Sequence, residues 1–126
     1  MTKTIIRGTG SHVPEKILTN DDLAEFLDTS DEWIKPRTGI RARRIVDSSK
    51  NETCVSMGVS AAKKAMEMAN ISAEQLDLII VATVTPNYRM PTAACMIQAE
   101  LQATNVPAFV IGAACAGSVY GLSIVN

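Results

Sequence analysis

The sequence is poor in aromatic residues, with one Trp, two Tyr and two Phe among 126 residues. Hydrophobic residues nevertheless make up 47% of the chain, which excludes disorder along its whole length. The core is therefore expected to be aliphatic and built from Ile, Val, Leu, Met and Ala. The length fits a single domain.

Charge of one sign and long apolar runs are also lacking. The 12 Lys and Arg residues nearly balance the 13 Asp and Glu residues, whereas nucleic-acid-binding domains normally carry a clear basic excess. No apolar run approaches the roughly 20 residues that span a bilayer, and the first residues lack the pattern of a signal peptide. Neither nucleic acid nor a membrane is therefore expected as a partner.

The cysteine pattern excludes two further classes of protein. The cysteines, Cys54, Cys95 and Cys115, are odd in number and spaced like neither a disulfide framework nor a zinc site. A reducing, cytoplasmic location is the simplest interpretation, and the sequence indicates no metal and no other cofactor.

Charge is uneven along the chain although it cancels overall. Residues 15–32 contain seven acids and one base, and residues 35–44 contain five bases and no acid. Such blocks are either two solvated faces or, for the basic one, the binding surface of a phosphate-bearing ligand. Composition alone does not decide between these interpretations.

Short strands and helices alternate along the chain without repeats. Continuous apolar runs at residues 78–84 and 108–111 are typical of strands covered on both faces, as in the parallel sheets of α/β proteins. Apolar residues at alternating spacings of four and three predict a long helix from Thr53 to Asn70. The other expected elements are a strand at residues 4–10, a helix capped by Thr19 or Asn20, a helix containing Trp33 and ended by Pro36 and then Gly39, a helix at residues 92–101, and a last helix from residue 116 to Asn126.

The last predicted helix indicates that the domain is unfinished. Its apolar residues, Val119, Leu122, Ile124 and Val125, imply buried faces, yet no further strand follows to cover them. Large exposed apolar patches are unusual in soluble monomers, so we expect a homodimer or a higher assembly.

Cys115 is the residue best placed for chemistry. It lies where a predicted buried strand turns into a helix, among small residues that let a substrate approach the sulfur. Backbone N–H groups at a helix N-terminus favour a thiolate, and the same strand–nucleophile–helix arrangement exposes the serine of hydrolases. The alternative is an inert core thiol. Cys54 and Cys95 are better explained by packing within helices.

A series of motifs stands in order along the chain. They are GTGS at residues 8–11, TND at 19–21, DTSDEWI at 28–34, RTGIR at 37–41, NET at 51–53, LIIVAT at 78–83, PTAAC at 91–95 and AACAG at 113–117. Together they closely resemble the N-terminal part of the β-ketoacyl-acyl carrier protein synthases III, the initiating condensing enzymes of bacterial type II fatty acid synthesis. The resemblance covers the whole chain, and residues 33–41 and the Cys115 motif are its most specific parts.

This resemblance implies a fold and an organisation. The fold would be α/β, the first part of a thiolase-like αβαβα fold with a mixed sheet covered by helices, and incomplete in this chain. Residues 1–126 would then form an N-terminal thiolase-like domain fragment that carries the nucleophile, with the C-terminal half absent.

The resemblance also assigns roles to single residues. Cys115 matches the nucleophile that accepts an acyl group from acyl-CoA. Trp33 matches the residue whose indole stacks on the CoA adenine, Arg37 its basic partner on the opposite side of that ring, and Thr29 a polar contact to the adenine. An indole is a large flat surface, and a guanidinium both stacks and binds phosphate. Without the resemblance, Trp33 is equally well a core residue and Arg37 a solvated one.

Several positions depart from the common pattern of the family. Lys35 and Pro36 replace the usual residues before Arg37. Met90 and Ser118 stand where Phe is frequent, at positions that the resemblance places at the acyl pocket, so the preferred primer chain is left open. Nearby, Arg41, Arg43 and Arg44 are either solvated or a contact for an acidic carrier protein.

The implied reaction is a decarboxylative Claisen condensation of an acyl-CoA primer, acetyl-CoA or similar, with malonyl-acyl carrier protein. The His and Asn that stabilise the enolate in this family lie in the other half, and His12, the chain's single histidine, matches neither. This chain alone is therefore expected to be incompetent for full turnover. The alternatives are a catalytically incomplete CoA-binding fragment and part of a related acyltransferase, such as a hydroxymethylglutaryl-CoA synthase or a secondary-metabolite ketosynthase.

Overall fold

The structure, a computed structural model, describes residues 4–125 of the chain. It divides into two units, one formed by residues 13–52 and the other by the residues up to His12 with those from Thr53 onward. The first unit contains an antiparallel pair of strands and the second a parallel pair. Both kinds of pairing therefore occur, in separate two-stranded sheets.

The unit of residues 13–52 consists of two short strands and two short helices. They are β1 (Ile17–Thr19), α1 (Asn20–Ala24), α2 (Asp31–Thr38) and β2 (Ala42–Arg44). Thr19 caps α1 as predicted, because its hydroxyl accepts a hydrogen bond from the Asp22 N–H while the Asp22 carboxylate accepts one from the Thr19 N–H. Leu18 of β1 pairs with Arg43 of β2.

The prediction that Pro36 ends the second helix is wrong. Helix α2 continues through Pro36 to Thr38 and ends at Gly39, whose φ of 73° is left-handed. Proline removes one backbone donor, but side chains add others: Arg37 Nη1 donates to the Trp33 carbonyl and Thr38 Oγ1 to the Ile34 carbonyl, both at 2.9 Å. These bonds satisfy carbonyl groups in the last turns of the helix.

The prediction of a long helix between Thr53 and Asn70 is confirmed in the second unit. Helix α3 spans Cys54–Ala69, is capped by Thr53 and ends at Asn70, which has a left-handed φ of 53°. Val55 and Val59 of its apolar stripe are buried in the core.

The remaining elements are β3 (Ile79–Ala82), α4 (Ala93–Glu100), β4 (Ala108–Ile111) and α5 (Gly117–Ile124). Strands β3 and β4 are parallel, with Ile79 opposite Ala108. Ile79 and Val81 pack against the core between the sheet and helices α3 and α4, while Ile80 lies 3.9 Å from a Cβ built on Gly121 of α5. Because side chains alternate along a strand, α5 covers the other face of the sheet. This explains the continuous apolar run in the sequence.

The prediction of a strand at residues 4–10 is wrong for the described chain. This segment lies against α3, and a Cβ on Gly8 or Gly10 would collide with the carbonyl oxygens of Ala65 or Ala61. The Thr9 N–H donates to Met68 Sδ at 3.3 Å. Contacts with a helix thus replace the strand pairing expected from the sequence.

Helix α5 is apolar and largely uncovered within the described residues. Its predicted end, Asn126, lies outside them. The side chains of Val119, Leu122, Ile124 and Val125 are between 50% and 61% exposed.

Candidate functional site

The candidate nucleophile lies on a turn that links β4 to α5. Strand β4 ends at Ile111, and a short 3-10 turn at Ala114–Ala116 follows before α5 begins at Gly117. Ala114 has a left-handed φ of 42°, a conformation that L-residues with a Cβ rarely adopt. The turn is closed by a hydrogen bond of 3.0 Å from the Ala116 N–H to the Ala113 carbonyl. Cys115 is exposed on it.

This placement modifies the prediction that Cys115 stands directly before a helix that begins at residue 116. The thiol belongs to the 3-10 turn, and the α-helix starts two residues later. The Gly117 N–H donates to the Ala114 carbonyl, so this donor is not directed at the thiol. The strand–nucleophile–helix order is confirmed, whereas a contribution of the helix N-terminus to a thiolate stays a prediction.

Close packing fixes the end of this turn on the sheet. A Cβ on Gly117 would lie 2.8 Å from the Cβ of Ala82, the last residue of β3. Helix α5 therefore starts in direct contact with the carboxyl end of the parallel strands. Ligand sites of open α/β sheets lie at this edge.

Of the other two cysteines, Cys54 packs against the core as predicted, whereas Cys95 does not. Cys54 is half-buried and its Sγ lies 3.8 Å from Thr83 Oγ1. Cys95 is exposed, although the Thr92 hydroxyl donates to its Sγ at 3.2 Å. Exposure alone therefore does not distinguish Cys95 from Cys115.

The two predicted acyl-pocket residues lie in the same unit as Cys115. Met90 is 79% exposed on the loop after β3, and Ser118 is the exposed second residue of α5. A groove of about 650 Å³ in this unit runs between the 4–10 segment, α3 and β3. Cys115, Met90 and Ser118 do not line it, so this groove is not the predicted acyl pocket.

The predicted adenine-binding residues lie on or next to α2. Trp33 is 56% exposed, which excludes its alternative interpretation as a core residue. The guanidinium carbon of Arg37, one helical turn later, lies 4.6 Å from the centroid of the indole ring. The half-buried Thr29 precedes Ser30, whose hydroxyl caps α2 by accepting a hydrogen bond from the Trp33 N–H. The sequence-predicted residues Trp33 and Arg37 are thus in direct contact.

The two arginines of β2 donate hydrogen bonds to other residues of the same unit. Arg43 Nη2 donates to Asn20 Oδ1 at 3.0 Å, and Arg44 Nη1 donates to the Pro14 and Glu15 carbonyls at 3.1 and 3.2 Å. Their guanidinium groups hold the unit together. Arg43 is half-buried, whereas Arg44 is exposed, as the interpretation as solvated surface expects. Sequence reasoning missed this role because the acceptors are backbone or amide oxygens far away in the sequence.

Comparison with known proteins identifies the fold. No protein-family model matches the chain. The crystal structure of 3-oxoacyl-[acyl-carrier-protein] synthase III from Aquifex aeolicus VF5 superposes with a TM-score of 0.92 at 52% identity, over 96% of this chain and 38% of that one. The priming β-ketosynthase of the R1128 polyketide biosynthetic pathway gives a TM-score of 0.89 at 39% identity, over 94% and 35%. The fold is therefore part of a thiolase-like α/β fold.

Comparison of the sequence with known proteins shows which proteins of the thiolase-like fold the chain is related to. Over 119 residues the chain is 54% identical to the β-ketoacyl-[acyl-carrier-protein] synthase III of Caldanaerobacter subterraneus subsp. tengcongensis, which corresponds to 94% of this chain and 35% of that enzyme. The chain is a homologue of the β-ketoacyl-[acyl-carrier-protein] synthases III and spans between 35% and 39% of the length of the first relatives compared. Within residues 4–125, no helix is both long and apolar enough to cross a membrane.

Proposed function

We propose that this chain is the nucleophile-bearing N-terminal portion of a β-ketoacyl-acyl carrier protein synthase III, which initiates fatty acid biosynthesis in the cytoplasm. The position of Cys115 carries the proposal. An exposed thiol follows a left-handed alanine at the carboxyl end of a parallel sheet, which is the arrangement of an activated nucleophile on a strand-to-helix turn.

Cys115 would perform the first half of the reaction. Its thiolate attacks the thioester carbonyl of acyl-CoA, the bond from that carbonyl to the CoA sulfur breaks, and CoA leaves as the thiol after taking up a proton. The acyl group remains on Cys115 as a thioester. Because the attacking and leaving atoms are both sulfur, this exchange needs no strong driving force.

The second half of the reaction, the condensation with malonyl-acyl carrier protein, needs hydrogen-bond donors that we do not assign to any residue of this chain. Loss of CO₂ from malonyl-acyl carrier protein leaves a carbanion, which attacks the acyl group on Cys115 and releases the thiolate. Hydrogen-bond donors must stabilise the enolate that forms. His12 matches neither donor of the family, so we propose that this chain acylates itself but does not complete the condensation.

Trp33, Arg37 and Thr29 would bind the adenosine part of CoA. The exposed indole supports this role, but the 4.6 Å contact between the ring and Arg37 is too short to admit a purine, since two stacking contacts need about 7 Å. We therefore expect Arg37 to swing away from Trp33 when CoA binds, and its guanidinium then reaches the ring from the other side or a phosphate group.

Met90 and Ser118 would shape the acyl pocket. Both side chains are exposed, as expected for residues whose pocket is completed by another part of the assembly. A flexible thioether at position 90 and a small residue at 118 alter the size of the pocket relative to Phe, and so affect which primer chain fits.

The test is self-acylation. The purified chain is incubated with acetyl-CoA and analysed by intact mass, followed by peptide mapping and release with neutral hydroxylamine. We expect a single acetyl group on Cys115, lost on treatment with hydroxylamine and absent from Cys115→Ala. Cys95→Ala is the matched control, because it removes another exposed thiol. Acetylation of Cys95 at an equal rate, or of none, would contradict the assignment.

A second candidate is the priming ketosynthase of a secondary-metabolite pathway. The TM-score of 0.89 with the priming β-ketosynthase of the R1128 pathway favours it over other related acyltransferases. Competition between acetyl-CoA and longer acyl-CoA esters for Cys115 separates the two candidates, because a strong preference for the longer ester would favour the second.

A further inference from the structure

Asn20 occupies an unusual environment in the unit of residues 13–52. Among the residues that the structure describes, Asn20 is the one polar residue that is buried, with 1% of its surface exposed. Its Nδ2 donates to Asp31 Oδ1 at 2.7 Å and to the Ile40 carbonyl at 2.9 Å, and its Oδ1 accepts from Arg43 Nη2 at 3.0 Å. Both amide protons and the amide oxygen are thus used.

These partners bracket helix α2. Asp31 is its first residue, and Ile40 follows Gly39, at which the helix ends. Two hydrogen bonds from one amide group therefore join the beginning and the end of this helix. Trp33 and Arg37 project from the turns between these two points.

Little else in the helix fixes its position. Helix α2 has eight residues, fewer than the about 12–15 needed for an isolated helix to be stable, and it contains Pro36. Ile34 is its buried side chain, whereas Trp33 is 56% exposed. The polar contacts at the two ends are consequently the main restraints on its direction.

We propose that Asn20 is a positioning residue that sets the orientation of the Trp33–Arg37 pair through the two ends of α2. The inference rests on the proposed function in one respect, namely that this pair receives the adenine of acyl-CoA. A buried amide suits this task better than a charged group, since it donates to both ends of the helix without introducing an unpaired charge.

The primary test is Asn20→Asp, which keeps the size and shape of the side chain. The new carboxylate still accepts from Arg43 but faces the Asp31 carboxylate and the Ile40 carbonyl, so both attractive contacts become repulsive. We expect the Kd for acetyl-CoA to rise about tenfold, which is roughly 1.4 kcal/mol. Trp33 is the only tryptophan of the chain, so acrylamide quenching of its fluorescence reports directly on its position without ligand.

Loss of stability alone must be separated from loss of position. Ile34→Val removes one buried methyl group from α2 and touches none of the contacts of Asn20. It should lower the unfolding temperature while leaving both the acetyl-CoA affinity and the quenching of Trp33 unchanged. An equal loss of affinity in Ile34→Val and Asn20→Asp would overturn the inference, because general destabilisation would then explain both.

A second pair of variants decides the question if Asn20→Asp does not fold. Asp31→Ala removes the acceptor at the start of α2, and Glu32→Ala removes the same charge from the same turn without touching Asn20. Both weaken the favourable interaction of acids with the helix N-terminus. We expect a several-fold loss of affinity and a change in quenching for Asp31→Ala only. Equal effects of the two variants would overturn the inference.

Failure of the proposed function gives a different result. If the unmodified chain binds no acetyl-CoA, but Asn20→Asp or Asp31→Ala still changes the quenching of Trp33, the positioning role stands and the adenine site does not. If the chain binds acetyl-CoA and these variants bind it equally well with unchanged quenching, the positioning role is refuted and the proposed function is unaffected.

Discussion

The contact between Gly117 and Ala82 makes a quantitative prediction about the Cys115 turn. A Cβ at position 117 would lie 2.8 Å from the Cβ of Ala82. Carbon atoms in contact prefer about 3.5–4.0 Å, so Gly117→Ala forces the start of α5 away from β3 by about 0.7 Å or more. We expect this overpacking to lower the free energy of unfolding by about 1–3 kcal/mol.

The same helix offers a matched control at Gly121. A Cβ there meets Ile80 Cγ2 at 3.9 Å, an ordinary van der Waals contact. Gly121→Ala should therefore raise the stability by up to about 1 kcal/mol, the difference in helix propensity between the two residues. Identical chemical changes four residues apart are thus expected to have opposite signs.

Urea unfolding followed by circular dichroism measures both changes, and alkylation of Cys115 in the folded protein reports on the geometry of the turn. The double variant Gly117→Ala with Ala82→Gly moves the methyl group from the strand to the helix. It should recover most of the lost stability, apart from about 0.5–1 kcal/mol for glycine within a strand. A Gly117→Ala variant as stable as the unmodified chain, or a double variant no more stable than the single one, would refute the reasoning.

Three other predictions concern reactivity, pH and assembly. Limited alkylation with iodoacetamide should modify Cys115 before Cys95 although both are exposed, because Cys115 lies on a turn among small residues, whereas the Cys95 sulfur contacts Thr92 and the Ala108 carbonyl, which restrict the approach of the reagent. Peptide mapping that finds equal rates would count against an activated Cys115. The hydroxyl and then the N–H of Thr19 hold the pKa of Asp22 below its ordinary value of 3.8. The Asp22 carboxylate therefore stabilises the folded protein at pH values above 3.8, and this stabilisation is lost as the pH falls through the lower pKa of the folded protein. Asp22→Asn should flatten the pH dependence of stability in this acidic range, as measured by urea unfolding at a series of pH values. Phe109 of β4 is a large apolar residue that is 38% exposed, so the chain should sediment as a homodimer joined through β4. Phe109→Lys should then yield monomers in analytical ultracentrifugation, and a concentration-independent monomer of the unmodified chain would exclude this mode.

Local patterns in the sequence were sufficient for the elements that carry their own signal. The apolar stripe and the Thr53 cap predicted α3, and uninterrupted apolar runs predicted the parallel strands β3 and β4. The segment at residues 4–10 has the same composition as a strand, yet a strand also requires a neighbour, and its glycines allow it to lie against α3 instead. Strands β1 and β2 were missed because each has three residues, and β2 contains two arginines.

The candidate functional residues also include some that a local sequence pattern predicts and others that it does not. The strand–turn–helix order around Cys115 is a local property and was predictable, whereas the left-handed conformation of Ala114 depends on how the turn meets the sheet. The burial of Asn20 had no local signal, since its partners Ile40 and Arg43 are 20 and 23 residues away in the sequence.

The Cys115 turn and the Trp33–Arg37 pair are therefore held in place by different forces. The Cys115 turn depends on the volume of small residues such as Gly117, because α5 touches the sheet there without a gap. The Trp33–Arg37 pair depends on hydrogen bonds from a buried amide, and a change of one atom in Asn20 alters these without changing any volume. Added methyl groups should consequently impair acyl transfer to Cys115 before they impair CoA binding, and polar substitutions in residues 13–52 should do the reverse. Self-acylation rates measured at saturating and at limiting acetyl-CoA separate these effects, because a displaced thiol lowers the rate at both concentrations and a displaced indole lowers it at the limiting concentration alone.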